Sequence, residues 1–254
     1  MGKVVLYEKR EDYSVITLNR PDKRNAISKE VVNELTHILN DLHKRNDSIK
    51  FLIITGSGQD AFCSGGDLND FHGDLNQQEA YLLLKPMQEV LFKIATLPFP
   101  TIAWMNGSAR GGGMELASAC DFRYASEKGT YGFVQGQLGI STGWGGGSLL
   151  YHRIQKQLAF EWLLMADVRN AQQLKDIHFI HNFIDANIND SQIIKTFKNR
   201  SVEQMHLWKW QYLKQMSIEQ LKKDMENEVL QCSHLWESEA HKRAVQQFFN
   251  KKSK

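Results

Sequence analysis

The sequence predicts an α/β fold followed by a helical tail, and three observations predict it. Short continuous apolar runs such as Phe51-Leu-Ile-Ile-Thr55 and Thr101-Ile-Ala-Trp-Met105 read as strands covered on both faces. Each runs on toward glycines, and the segments between carry apolar residues at helical spacing. From about Asp190 the strand-like runs stop and only helical patterns remain. A chain of 254 residues that is 42% hydrophobic can bury a sizeable core. We divide it into a core over 1–190 and a helical region over 191–254.

In order, Lys3–Tyr7 and Tyr13–Leu18 are β-rich and flank the charged turn Lys9-Arg-Glu-Asp12, which predicts a hairpin. The arginine-rich loop Asn19–Asn25 follows. Ser28 is placed to cap a helix whose Val31, Val32, Leu35, Ile38, Leu39 and Leu42 share a face. After Phe51–Thr55 come the glycines of Ala61-Phe-Cys-Ser-Gly-Gly-Asp-Leu68 and then a polar loop over 69–79 that contains His72, a position where a histidine is ordinarily solvated. Tyr81–Leu97 has helical periodicity, stopped by Pro98 and Pro100. Phe122-Arg-Tyr-Ala, Tyr131-Gly-Phe-Val and Phe179–Ile184 read as short strands, and Ser148–Ile154, Lys156–Met165 and Asn170–Asp176 as helices. In the tail, Ser201…Gln204 and Ser217…Gln220 have capping-box spacing. Ile218, Leu221, Met225, Val229 and Cys232 share one face, as do Ala240, Ala244, Val245 and Phe248. Short helices with such faces must pack on the core or on another subunit.

The chemistry concentrates at Ser108-Ala-Arg-Gly-Gly-Gly-Met-Glu-Leu116. An apolar strand that breaks at glycines and resumes as a helix leaves free N–H groups at the helix start. With the helix dipole behind them, these donors suit an anion or an oxygen that turns negative during a reaction. Glu115, one helical turn beyond Gly112, faces the same space. The glycines are equally what a helix packed tightly against a sheet requires.

Composition excludes several classes. A net charge of +2, with no basic aromatic stripe, gives nucleic acid no footprint. No apolar run reaches membrane-spanning length, and the N-terminal residues lack a secretory pattern. Three widely spaced cysteines, Cys63, Cys120 and Cys232, form neither a disulfide framework nor a metal site. We expect a reduced, cytoplasmic enzyme without a metal.

Leu18-Asn-Arg-Pro-Asp-Lys-Arg-Asn-Ala-Ile27, Ala61–Leu68 and Ser108–Leu116, in that order and spacing, resemble the crotonase (enoyl-CoA hydratase/isomerase) superfamily. The resemblance runs from about Val4 to Lys252. It implies a crotonase-type ββα spiral core with a C-terminal helical oligomerisation region. It also implies an acyl-CoA substrate whose coenzyme A is part of the substrate, with no separate cofactor. The oligomer implied is a homotrimer or a dimer of trimers. By the same resemblance, the thioester oxygen is held by the backbone N–H groups of Gly66 and Gly112. Ser64 and Leu68 line the adenine site, Lys23 and Arg24 meet the CoA phosphates, and Phe248 and Lys251 match positions that touch a neighbour's CoA. The loop after Leu68 would cover the acyl pocket.

The departures from the family pattern carry the most information. Hydratases of the family pair two glutamates, the first matching Glu115; at the second position this chain has Gln135. An amide cannot take up a proton as a carboxylate does. Thr142 stands where a proline is usual, and Trp144 stands where a small residue is usual, so an indole would fill much of the acyl pocket. Phe-Val-x-x-x-Leu-Gly-Ile-x-x-x-Trp-Gly-Gly looks like the branch containing ethylmalonyl-CoA decarboxylase. Loss of carbon dioxide from a malonyl-type thioester yields the enolate directly, so no second carboxylate is needed. Arg110, replacing an apolar residue, would meet a substrate carboxylate if it faced the pocket and solvent otherwise. The expected activity is therefore decarboxylation of a short alkylmalonyl-CoA, with enoyl-CoA hydratase/isomerase or acyl-CoA hydrolase chemistry as alternatives.

Overall fold

Among the described residues the chain winds two sheets, six and four strands wide, and passes repeatedly from one to the other. A computed structural model describes residues 2–44, 49–67, 70 and 75–252, without the side chains of 248–252. Strands β1 (Val5–Lys9) and β2 (Ser14–Leu18) form the expected hairpin. Helix α1 (Lys29–Lys44) begins where Ser28 Oγ accepts the Val31 N–H at 3.3 Å. Strand β3 (Leu52–Gly56) pairs parallel with β2, and β4 (Ala61–Cys63) then opens the second sheet.

Helix α2 (Gln77–Ala95) starts earlier than its apolar periodicity suggests. Asn76 and Glu79 form a capping box, so the end of the polar loop is the helix's first turn. Strands β5 (Thr101–Met105) and β6 (Ser108–Arg110), helix α3 (Gly112–Ala119), and strands β7 (Phe122–Ala125) and β8 (Thr130–Gly132) repeat the same winding. A 3-10 turn over Val134–Leu138 leads to α4 (Gly146–Leu150) and α5 (Lys156–Met165). Strand β9 (Arg169–Asn170), α6 (Ala171–Asp176) and β10 (Asn182–Phe183) complete the sheets. The larger sheet runs β1-β2-β3-β5-β7-β10 and the smaller β4-β6-β8-β9.

Alternation along the strands gives the larger sheet two buried faces, as the continuous apolar runs require. Ile16, Leu18, Ile54, Ala103 and Met105 point into the main core with α1, α2 and α3. Val15, Ile53, Ile102, Trp104 and Tyr124 point into a second cluster. The tail closes that second face. Helix α7 (Gln192–Lys198) contributes Ile194 and α8 (Val202–Gln215) contributes Met205. Lys209 of α8 is buried, its Nζ 2.7 and 2.6 Å from the two Asp121 oxygens and 3.0 Å from Ala95 O. Helix α9 (Ile218–Trp236) places Leu221, Met225, Val229, Cys232 and Trp236 in the main core, so that apolar face packs within its own chain. Helix α10 (Glu239–Lys252) follows.

One capping expectation is corrected. Ser201 and Gln204 cap α8 reciprocally, but the Ser217 side chain makes no cap bond. Its ψ of 89° departs from the ψ of 160° at Ser201, so its oxygen does not reach the turn.

Candidate active site

Strands β4 and β6 lie parallel and side by side, so the glycine loops that leave them adjoin. A Cβ built on Gly65 would sit 3.4 Å from the Gly112 nitrogen. In each loop a glycine with positive φ, Gly65 at +96° and Gly111 at +47°, directly precedes the predicted donor glycine. L-residues with side chains rarely take these angles, which turn the next amide out of the strand path. Gly66 bridges Ile27, and the bonds of that bridge run from Ile27 N to Gly65 O and from Asp67 N to Ile27 O. Gly66's own N–H therefore points away from Ile27. Gly112 is the first residue of α3, where an N–H has no acceptor inside the helix. Among the described residues neither amide has an acceptor within the protein.

Helix α3 is short and buried along its whole length, so its ends need outside support. At its C-terminal end Arg153 donates to Ser118 O (2.8 Å) and Ala119 O (3.3 Å), and Arg123 donates to Cys120 O (2.7 Å). Cations on the terminal carbonyls are the favourable match to the helix dipole. The N-terminal half packs directly on β4, since a Cβ on Gly113 would lie 2.1 Å from Cys63 O. The tight packing that the sequence left as one alternative is present, and it leaves Gly112 at the helix start, facing the pocket.

Glu115 is 2% exposed and heavily bonded. Its Oε2 accepts the N–H groups of Trp144 (2.8 Å) and Gly146 (3.0 Å), and its Oε1 accepts Gln135 Nε2 at 2.8 Å. Burial, then the negative charge of Glu228, push the carboxyl up to about 7, against the opposing backbone hydrogen bonds. A proton on Oε2 would displace two N–H donors. Oε1 also takes the Gly143 N–H, at 3.5 Å, so its contacts are the weaker set, and a proton there requires the Gln135 amide to turn so that its oxygen faces Glu115. The Gln135 Oε1 is buried with no hydrogen-bond partner among the described residues.

The Trp144 indole lies on the helix start. A Cβ on Gly112 would fall 1.9 Å from its Cζ3 and 2.4 Å from its Cη2. A pocket of about 580 Å3 opens here. Lys23, Arg24, Ser64, Gly66, Gly112, Glu115, Gln135 and Trp144 all line it. Leu84, Ile140, Cys232 and Trp236 add apolar surface, the last two from α9. Arg110 also lines the pocket and is half-buried; it donates to Ala109 O at 3.0 Å and to Thr130 Oγ1 at 2.6 Å. Burial, then the charge of Arg24, lower its pKa.

Leu68 and His72 lie outside the described residues. Phe248 and Lys251 fall within α10, with side chains outside that description. Sequence reasoning missed Glu228, Cys232 and Trp236, because residues of one helix near the C-terminus give no local sign of which pocket they close. It also missed the buried Lys209–Asp121 pair, whose two members lie far apart in sequence.

The enoyl-CoA hydratase/isomerase family model matches residues 8–254. Crotonyl-CoA hydratase of Syntrophomonas wolfei is 34% identical over 180 residues, covering 71% of this chain and 68% of that protein. Ethylmalonyl-CoA decarboxylase of Xenopus laevis is 36% identical over 162 residues, covering 64% of this chain and 54% of the decarboxylase, so the match spans about half of that relative. The fold matches the crystal structure of an enoyl-CoA hydratase from Bacillus halodurans with a TM-score of 0.85 at 22% identity, covering 96% of this chain and 99% of that one. With two sheets wound as a spiral, adjoining glycine loops and a family match over nearly its whole length, the chain belongs to the enoyl-CoA hydratase/isomerase (crotonase) family of acyl-CoA enzymes.

Proposed function

We propose that this enzyme decarboxylates a short alkylmalonyl-CoA. One observation carries the reading: the carboxyl beside Gly112 is paired at 2.8 Å with an amide, Gln135, and not with a second carboxylate, and its burial favours the protonated form. The C–C bond to the malonyl carboxylate breaks, carbon dioxide leaves, and the bonding pair forms the thioester enolate. Its oxygen becomes negative between the Gly66 and Gly112 N–H groups, where preorganised donors are worth most. Glu115 Oε1 then delivers its proton to the carbon that lost the carboxylate and regains one from water.

Trp144 on Gly112 limits the room for the acyl group, which suits a short or branched chain. Lys23, Arg24 and Ser64 are proposed to hold the CoA moiety, as are Leu68, Phe248 and Lys251. Arg110, bonded along its edge to Thr130 and lining the pocket near Arg24, adds positive charge for an anionic substrate. The proposal includes a cytoplasmic enzyme, in keeping with three free and buried cysteines. Among the described residues no helix is long and apolar enough to cross a membrane.

The second reading is hydration, favoured by relatives named as hydratases. A panel of acyl-CoAs followed by mass spectrometry separates the two by loss of carbon dioxide or gain of water. Free CoA as the product would mark hydrolysis. Gln135→Glu sharpens the test. It places two carboxyls in the contact now spanned by a 2.8 Å hydrogen bond, so the pair must share a proton, the arrangement hydration needs. The variant should gain measurable crotonyl-CoA hydration and lose decarboxylation, because the negative charge left on the proton-sharing pair opposes the malonyl group. A wild type that hydrates crotonyl-CoA at an ordinary enzyme rate sinks the decarboxylase reading.

Assembly as a trimer or a dimer of trimers is proposed as well. Large apolar side chains remain on α5 (Phe160, Leu164, Met165) and α8 (Trp208, Trp210), where Leu164 is 70% exposed. Light scattering should return a trimer or hexamer mass that falls in Leu164→Lys. A monomeric wild type at micromolar concentration would reject the assembly.

A further inference from the structure

The turn that carries Trp144 is gripped by two glutamates, and only Glu115 belongs to a motif of the family. Glu115 Oε2 takes the N–H groups of Trp144 and Gly146. Glu228, on α9, takes the next two, Gly147 N at 3.1 Å and Ser148 N at 2.6 Å, and also accepts Ser148 Oγ at 2.7 Å. The glycines are what allow this double grip. A Cβ on Gly146 would lie 2.3 Å from Glu115 Cβ, and one on Gly147 would lie 3.2 Å from Glu228 Oε2. Gly145, at φ +85°, would drive a Cβ to 2.6 Å from Met225 Cε of the same α9. No ion pair reaches Glu228 among the described residues; Lys85 of α2 pairs with Glu226 instead. Glu228 therefore satisfies its oxygens with dipoles of the turn, and no cation among the described residues pairs with it.

We propose that Glu228 is a positioning residue of the acyl site: it locks the Trp144–Ser148 turn onto α9, holds the indole on Gly112, and sets a negative charge behind Glu115. The inference rests on reading this pocket as the thioester site. The same charge is the second cause, after burial, of Glu115 retaining its proton. The other titratable groups near Glu228 do not oppose it. Tyr151, just beyond α4, and Cys232, one turn further along α9, are both raised chiefly by burial and hence neutral. Asp224, one turn earlier on α9, bears on His152, which burial and Arg153 keep low. His241 of α10 is bonded to Leu138 O. The C-terminal region thus controls both the shape of the acyl site and the state of its acid.

The test uses the full chain and starts without substrate. The infrared band of the protonated carboxyl, assigned by its loss in Glu115→Gln, is titrated in wild type and Glu228→Gln. Glu228→Gln keeps an acceptor for the turn and removes the charge, so the midpoint should fall by about 1 unit. The pH profile of turnover should move with it. Glu228→Ala should in addition change the part of the tryptophan emission that is missing in Trp144→Phe, and raise KM more than it lowers kcat. Should Glu228→Gln fold poorly, Glu228→Asp decides: its withdrawn carboxylate should lower the midpoint less and still alter the Trp144 emission. A midpoint and an emission unchanged from wild type would reduce Glu228 to a helix cap and overturn the proposal. Because the titration needs no turnover, a shifted midpoint in a protein inactive on every malonyl thioester would reject the reaction and leave Glu228's role standing.

Discussion

Gly112→Ala is expected to lower kcat/KM by about 100- to 1000-fold, the usual cost of losing one donor to a developing oxyanion. The substitution keeps the N–H and adds one methyl group. That methyl would lie 1.9 Å from Trp144 Cζ3, so either the indole or the helix start must move. Two donors arranged for one oxygen lose most of their value when one is displaced. The fold should survive better than with proline at this position, which would also remove the donor. Pairing the change with Trp144→Ala identifies the cause. Removing the indole relieves the overlap, so the double variant should recover a large part of the lost activity on a short acyl-CoA. A double variant as slow as Gly112→Ala alone would show that Trp144 is not what displaces the amide. Single-turnover kinetics with an alkylmalonyl-CoA, beside a thermal melt, provides the measurement.

The second large effect concerns Glu115 and carries a definite pH signature. Acting as an acid, it works in its protonated form, so kcat/KM should be level below about 7 and fall as pH rises through it. A hydratase using the same carboxylate as its base would show the opposite limb. Glu115→Gln should cost about 100-fold or more, the usual share of a general acid. It should not cost stability. The carboxyl ordinarily loses its proton near 4.5 but holds it to about 7 when folded. Between those values the folded state binds more protons than the unfolded state, so stability falls as pH rises from about 4.5 to 7 and stays reduced above. The full penalty is on the order of 3 kcal/mol. A glutamine imitates the protonated carboxyl: one oxygen accepts the Trp144 and Gly146 amides, and its NH2 meets the unpartnered Oε1 of Gln135 after that amide turns over. Glu115→Gln should therefore melt higher than wild type at pH 8, by about 2–4 °C per kcal/mol recovered, with a smaller gain at pH 5. Equal melting temperatures for the two proteins at both pH values would mean that Glu115 titrates normally.

Most strands and helices are legible in the chain because their signals are local. Continuous apolar runs located β3 and β5, a β-rich run beside a charged turn located β2, helical periodicity located α1, and a reciprocal Ser–Gln pair marked the start of α8. It was the family resemblance that grouped Gly66, Gly112, Glu115 and Gln135, and the four line one pocket. The winding of two sheets came from family resemblance; strands as short as β4, β6, β9 and β10 carry too few residues for a pattern to stand out. What only the tertiary structure decided is which side chains share a low-dielectric space. Lys209 meets Asp121, and Glu228 meets the turn after Trp144, across 88 and about 80 residues of chain. Whether Glu115 holds a proton depends on burial and on the charge of Glu228, which are properties of the assembled core. A sequence determines which groups are present and their local geometry; their protonation and the shape of the pocket are set by how distant segments exclude water from one another.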